Sequence, residues 1–312
     1  MSALIDVILP VFLVIGFGYA VTRAGLLSEP AVDGLMRFAQ TFALPVLLFR
    51  SIAQLDLSAA YDAGLMISFY TGAFCGFLVC FAGSILMFGR PLTDAVAIGF
   101  AGLFSNSLLL GVAITERAYG PEALTGNYAI ISVHAPTLYA FGIALMEWAR
   151  TRGHGLSAPR LARQIGLATL RQPLVIGILC GFAVNLAGNP LPGSVWAAVD
   201  MVARAAIPVA VFGLGGVLVR YRIEGDIGPV VLVSVASLGL HPAIAWVLGQ
   251  HVFGLDTAAL RSAVVTAAMA PGVNAYMFAH MYGVAKRVNA SSVLVATALS
   301  IVTTWGWLHI LP

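Results

Sequence analysis

The chain has 312 residues, of which 60% are hydrophobic and only 9% charged, with a formal net charge of +3 and a mean hydropathy of +0.95. A soluble domain carries about 25% charged residues, so this composition excludes one and points to an integral, multi-pass membrane protein.

At roughly 20 residues per span, about ten helices fit. They are expected near residues 4–22, 31–51, 63–88, 92–115, 127–149, 172–188, 195–219, 228–250, 258–282 and 290–311. The start, Met1-Ser2-Ala3-Leu4-Ile5-Asp6, has no basic segment and no small-residue cleavage site, so it reads as a retained first helix. Cys75, Cys80 and Cys180 lie in apolar runs without a CxxC pair or a matching histidine, and read as small packing residues. No cofactor or metal is expected. Gly72, Gly76 and Gly83 on the third span, and Gly213, Gly215 and Gly216 on the seventh, mark faces for close packing, with a second use as sliding surfaces.

Basic residues set the orientation. Loops after odd-numbered spans carry Arg23, Arg90, Arg150, Arg152, Arg160, Arg163, Arg171, Arg220, Arg222, Lys286 and Arg287; those after even-numbered spans carry little beyond Arg50 and Arg117. Positively charged loops stay cytoplasmic, so both termini are expected outside, in a bacterial inner (plasma) membrane. The loop Gly155–Arg171 alternates arginines with Leu161, Ile165, Leu167 and Leu170, as a basic amphipathic helix on the inner leaflet does. The sequon at Asn289-Ala290-Ser291 falls on the cytoplasmic side and is set aside.

The two halves repeat. Pro10, Gly18, Tyr19 and Gly25 match Pro173, Gly181, Phe182 and Gly188, and Pro45, Leu92, Tyr119 and Gly120 match Pro208, Leu255, Tyr282 and Gly283, all 163 residues apart (282 minus 119). Asp33 and Arg37 resemble Asp200 and Arg204 at a slightly larger offset, 167 (200 minus 33). Five spans per half is an odd number, so the halves must be inverted. The expected fold is an all-α membrane protein of ten transmembrane helices in two inverted five-helix repeats, 1–149 and 172–312, joined by a basic linker at 150–171. Binding sites in such proteins lie between the repeats, near mid-membrane.

Two stretches stand out there. In the ninth span, Met269-Ala270-Pro271-Gly272-Val273-Asn274 places a residue without an N–H, then a flexible one, then an amide, in the middle of an apolar run. The offset maps this onto Ser105-Asn106-Ser107-Leu108-Leu109-Leu110-Gly111 in the fourth. Both helices should break, and the N-termini of the resumed halves suit a carboxylate. The candidate substrate-binding residues are Ser105, Asn106, Ser107, Gly111, Pro271, Gly272, Val273 and Asn274. The plainer alternative is a kinked, packed helix with Asn106 bonded to a neighbour.

Through Pro10–Gly25, Phe42-Ala43-Leu44-Pro45, Asn106–Gly111, Glu147-Trp148-Ala149-Arg150, Arg171–Gly177 and Pro271–Tyr282, the sequence resembles the auxin efflux carrier family, with its plant carriers and bacterial malonate and malate permeases. That resemblance implies crossing broken helices 4 and 9, carboxylate transport by elevator-type motion of a core against a scaffold, and a homodimer. Two positions depart from the family's pattern: Ala113 stands where relatives often have proline, and His280 where they have lysine.

His134 and His241 are the candidates for proton coupling, since a histidine takes and releases a proton near neutral pH. The alternative for each is a neutral ring bonded to a backbone carbonyl, for His134 one freed by Pro136. Asp33–Arg37 and Asp200–Arg204 read as ion pairs within one helix. The leading function is a secondary transporter of a small organic anion. A bile-acid-type sodium symporter shares the architecture but needs clustered carboxylates, and an anion channel needs polar or charged pore stripes. An enzyme is not expected, because no catalytic constellation lies at midplane depth. The few positive groups near the site lean against a doubly charged substrate.

Overall fold

The computed structural model describes residues 3–151, 158–224 and 226–312. In chain order the helices are α1 (Ile5–Arg23), α2 (Glu29–Ala53), α3 (Ala63–Leu86), α4 (Leu92–Leu103), α5 (Val112–Tyr119), α6 (Pro121–Thr151), α7 (Ala158–Leu170), α8 (Pro173–Leu186), α9 (Gly193–Leu218), α10 (Ile227–Val252), α11 (Thr257–Ala267), α12 (Val273–Tyr282) and α13 (Lys286–Ile310). A single turn, Leu57–Ala60, precedes α3. Among the described residues, seven helices (α1, α2, α3, α6, α9, α10 and α13) are long and apolar enough to cross a membrane. The helices α4 and α8 are apolar but shorter.

Local chemistry sets the ends. The Asp62 and Asp256 carboxylates each accept an N–H from the first turn of α3 and α11, from Leu65 and Ala259, both at 2.8 Å. Gly120 and Gly283 terminate α5 and α12 at φ of 87° and 75°, a backbone region that side chains disfavour. Within α2 and α10, widened π-helical turns at Ala39–Ala43 and Ala236–Leu240 come just before Pro45 and Pro242. Proline has no N–H for the regular ladder, and the wider turn absorbs the mismatch.

The helices pack in two groups. In the first, α1 lies on α9 and α8 on α2 with backbones nearly touching: a β-carbon at Gly18, Gly215 or Gly177 would collide with the carbonyls of Phe212, Ile15 or Pro45. The second group gathers α3–α6 and α10–α13; in it Phe77 of α3, Phe100 of α4 and Phe278 of α12 share one cluster, the last two stacked at 4.0 Å. Their boundary runs where Val11, Val211 and Leu214 meet Leu110, Ala113 and Ile114. The small-residue stripes lie elsewhere. Gly72 and Gly76 abut the His241 and Gly102 carbonyls, and Gly213 abuts Met36, all inside one group or the other. They serve close packing, and the expected sliding role does not fit their position.

The ion pairs differ from expectation. Asp33 accepts from Arg220 at 2.7 Å, and Asp200 accepts from Arg50. Each acid lies toward the start of α2 or α9, and each arginine lies at the far end of the other helix. Side-by-side packing of the two helices brings these groups closer than a partner one turn along.

The helix α7 covers most of the basic linker; Arg152 and Gly155 lie outside the described residues. Leu161 and Ile165 of α7 pack on the second helix group, while Leu167, Leu170, Arg160 and Arg163 stay exposed. The apolar face thus rests partly on protein instead of lipid alone.

Candidate functional site

Between α4 and α5 the chain leaves the helix at Phe104-Ser105-Asn106, then resumes through a π-helical turn at Ser107–Gly111. Short polar side chains favour such departures because they compete with the helix for backbone groups. Between α11 and α12 it does the same around Ala270-Pro271-Gly272. The two departures meet in an antiparallel bridge of Ser105 with Pro271. The Asn106 N–H donates to the Ala270 carbonyl at 2.8 Å, and the Gly272 N–H donates to the Phe104 carbonyl at 3.0 Å. Each stretch satisfies backbone groups that the other would leave unpaired in hydrocarbon.

Beyond the bridge, two helix starts border one cavity of about 260 Å³. The N–H groups of Ser107, Leu108, Leu109, Val273 and Asn274 have no partner among the described residues, and all five residues line the cavity. Asn106 is 8% exposed, and neither its side-chain amide nor that of Asn274 has a hydrogen-bond partner among those residues. The Ser105 and Ser107 hydroxyls bond to each other at 2.7 Å. Among the described residues no lysine, arginine, aspartate or glutamate lines the space, and Leu44, Leu48, Ile131, Ile178 and Met277 make its apolar walls. The arrangement offers amides and free N–H groups to one anionic head, with room for an apolar body.

Of the residues singled out in the sequence, Ser105, Asn106, Ser107, Gly272, Val273, Asn274 and His134 line this cavity. Pro271 sits behind it in the bridge, and Gly111 packs toward Met269, 3.6 Å from where a β-carbon would stand. His241 lies away from it; its Nε2 pairs with the Phe69 carbonyl at 3.1 Å, as the plainer alternative expected. His134 behaves otherwise. It is 4% exposed, and neither ring nitrogen has a hydrogen-bond partner. Its ring stands edge-on to Phe104 at 4.7 Å and Phe69 at 5.6 Å, with the Ser105 backbone as its nearest polar neighbour. Held between those aromatics, it does not take the carbonyl that Pro136 frees. His280 is exposed beside Tyr276, ring centroids 5.8 Å apart.

Sequence reasoning missed three lining residues: Gln40 in the π-helical turn of α2, Gln172 just before α8, and Tyr139 of α6. A glutamine inside an apolar span was the available signal for Gln40. It also missed two buried asparagines that tie the interrupted segments together. Asn127 Nδ2 donates to Thr115 of α5 at 3.0 Å and Thr266 of α11 at 2.8 Å. Asn289 Nδ2 donates to the Ala97 carbonyl of α4 at 2.9 Å and the Ala275 carbonyl of α12 at 3.0 Å. A second cavity, about 690 Å³, lies at the boundary of the two helix groups with Arg50, Arg204, Glu116, Glu122 and Tyr128 in its lining.

The profile of the Membrane transport protein family matches residues 3–308. The chain is 24% identical to the "Putative malonate transporter" of Rhizobium meliloti (strain 1021), over 100% of this chain and 97% of that protein. It is also 24% identical to the "Uncharacterized transporter YfdV" of Escherichia coli (strain K12), over 97% and 96% of the two chains. A 27% identity to the "Lysosomal cholesterol signaling protein" of Mus musculus covers 69% of this chain but only 26% of that larger protein. A profile that spans nearly every residue, interrupted segments included, means that the chain belongs to the Membrane transport protein family, the auxin efflux carrier family of its sequence resemblance.

Proposed function

We propose that this protein is a secondary transporter that carries a small organic carboxylate across the membrane, holding it where the two interrupted helices cross. The observation that carries this reading is the pairing of the Ser105–Pro271 bridge with two facing helix starts, whose free N–H groups and the Asn106 and Asn274 amides surround one cavity. A carboxylate can accept from several of these donors at once, and helix N-termini favour its charge. The similarity to a protein named as a malonate transporter supports a small organic anion.

In this reading α4 with α5, and α11 with α12, are the broken fourth and ninth of ten membrane helices, and residues 1–149 and 172–312 are inverted repeats. Paired features support it: Gly120 and Gly283 end matching half-helices, and the Arg50–Asp200 and Asp33–Arg220 ion pairs swap partners between the halves. The group α1, α2, α8 and α9 serves as scaffold, and the other group moves as a core in an elevator cycle. His134, unpartnered beside the site, is the proposed proton carrier. The positive loops support a topology with both termini outside, and assembly as a homodimer is the form the family resemblance implies.

Uptake into proteoliposomes across a panel of carboxylates, with and without a pH gradient, tests the proposal. Asn106→Ala and Asn274→Ala should each cut uptake by at least about tenfold, since a lost ligand hydrogen bond costs about 1–3 kcal/mol. Unchanged uptake in both, at normal expression, rules the pair out as ligands.

A further inference from the structure

We propose that this cavity selects singly charged carboxylates with a neutral, polar far end, read by Gln40 and Gln172, and that it discriminates against doubly charged acids. The inference rests on the proposed carboxylate site and narrows what that site takes. Its first basis is a charge balance. Each helix N-terminus acts as about half a positive charge, so the two that border the cavity offset about one carboxylate. Among the described residues no lysine or arginine lines the space to offset a second, Arg171 next to Gln172 is exposed and outside the lining, and His134, which does line it, supplies no charge in its neutral form. A second carboxylate would sit uncompensated among Leu44, Leu48, Ile178 and Met277, where an unpaired charge is costly.

The second basis is how the polar groups divide. Asn106, Asn274 and the free N–H groups come from the crossing segments, whereas the exposed Gln40 and half-buried Gln172 come from α2 and the start of α8, in the other helix group. The close contact of Gly177 with the Pro45 carbonyl holds α8 against α2 and fixes that second wall. An amide both donates and accepts, so two of them suit a hydroxyl, carbonyl or carboxamide better than an anion. The Asn106 side chain, 8% exposed and with no hydrogen-bond partner among the described residues, shows that this is a built site with hydrogen-bonding capacity still open.

The test uses the full chain in nanodiscs and isothermal titration with malonate, malonamate and propionate, at mildly basic pH where both malonate carboxyls are ionised. Malonamate matches malonate in size but replaces one carboxylate with an amide, and propionate lacks the polar far end. Malonamate should bind at least about tenfold more tightly than malonate, because the second charge leaves bulk water without gaining a cation. Gln172→Lys, which adds the missing cation, should reverse that order. Gln40→Ala and Gln172→Ala should each weaken malonamate by several-fold and leave propionate unchanged, which also separates a lost contact from a misfolded variant. Malonate binding as tightly as malonamate to the wild-type chain, or malonamate indifferent to both alanine variants, overturns this inference and leaves the carboxylate site standing. If none of the three acids binds, the carboxylate site falls with it.

Discussion

Asn127 and Asn289 do the same work on two different pairs of half-helices. Each is fully buried near the start of a long helix, α6 or α13, and each spends both amide protons tying one segment of the first interruption to one segment of the second. Asn127 joins α5 to α11, and Asn289 joins α4 to α12. Replacing either with alanine strands two acceptors in the interior, at a cost of about 1–3 kcal/mol. Both variants should unfold at lower temperature, and because they share no partner their effects should add. Wild-type melting in either would show that the segments hold together without it.

For His134 the expected phenotype is selective. A glutamine there keeps a polar group of similar size and removes the ability to carry a proton. His134→Gln should therefore retain substrate binding and lose stimulation of uptake by a pH gradient. Full stimulation in that variant removes His134 from the coupling role. His241→Gln, at a ring already bonded to the Phe69 carbonyl, should keep the stimulation.

Backbone contact between α1 and α9 should be intolerant of side chains. A β-carbon at Gly215 would collide with the Ile15 carbonyl, so Gly215→Val forces the helices apart and should cost about 3 kcal/mol or more. Gly239 of α10 has nothing within reach of an added β-carbon, and Gly239→Ala should be neutral or stabilising by about 0.5–1 kcal/mol. Comparing the two variants by thermal melting in detergent separates close packing from helix propensity. Equal melting temperatures would contradict the contact.

The swapped ion pairs should matter little for stability. The side chains of Arg50 and Asp200 are 38% and 32% exposed, so solvent screens their attraction. A double-mutant cycle on Arg50→Ala and Asp200→Ala should give a coupling below about 1 kcal/mol, smaller still in high salt. A larger value would mean that the pair is shielded in the assembled protein.

By itself, the sequence determined the all-helical membrane class and where two of the apolar runs are interrupted. Hydropathy and breakers such as Pro271-Gly272 act over a few residues, so they can be read without knowing what lies across the fold. The chain does leave the helix at those breakers, and most of the polar residues beside them line one cavity. The tertiary structure decided the rest: that Gln40, Tyr139 and Gln172 join that cavity, that Asp33 meets Arg220 instead of Arg37, and that His134 stands between Phe104 and Phe69 in the cavity lining. These facts depend on which helix faces meet across many residues of chain. In so uniformly apolar a sequence, packing chooses those faces, because the usual contrast between a buried and a wetted side is faint.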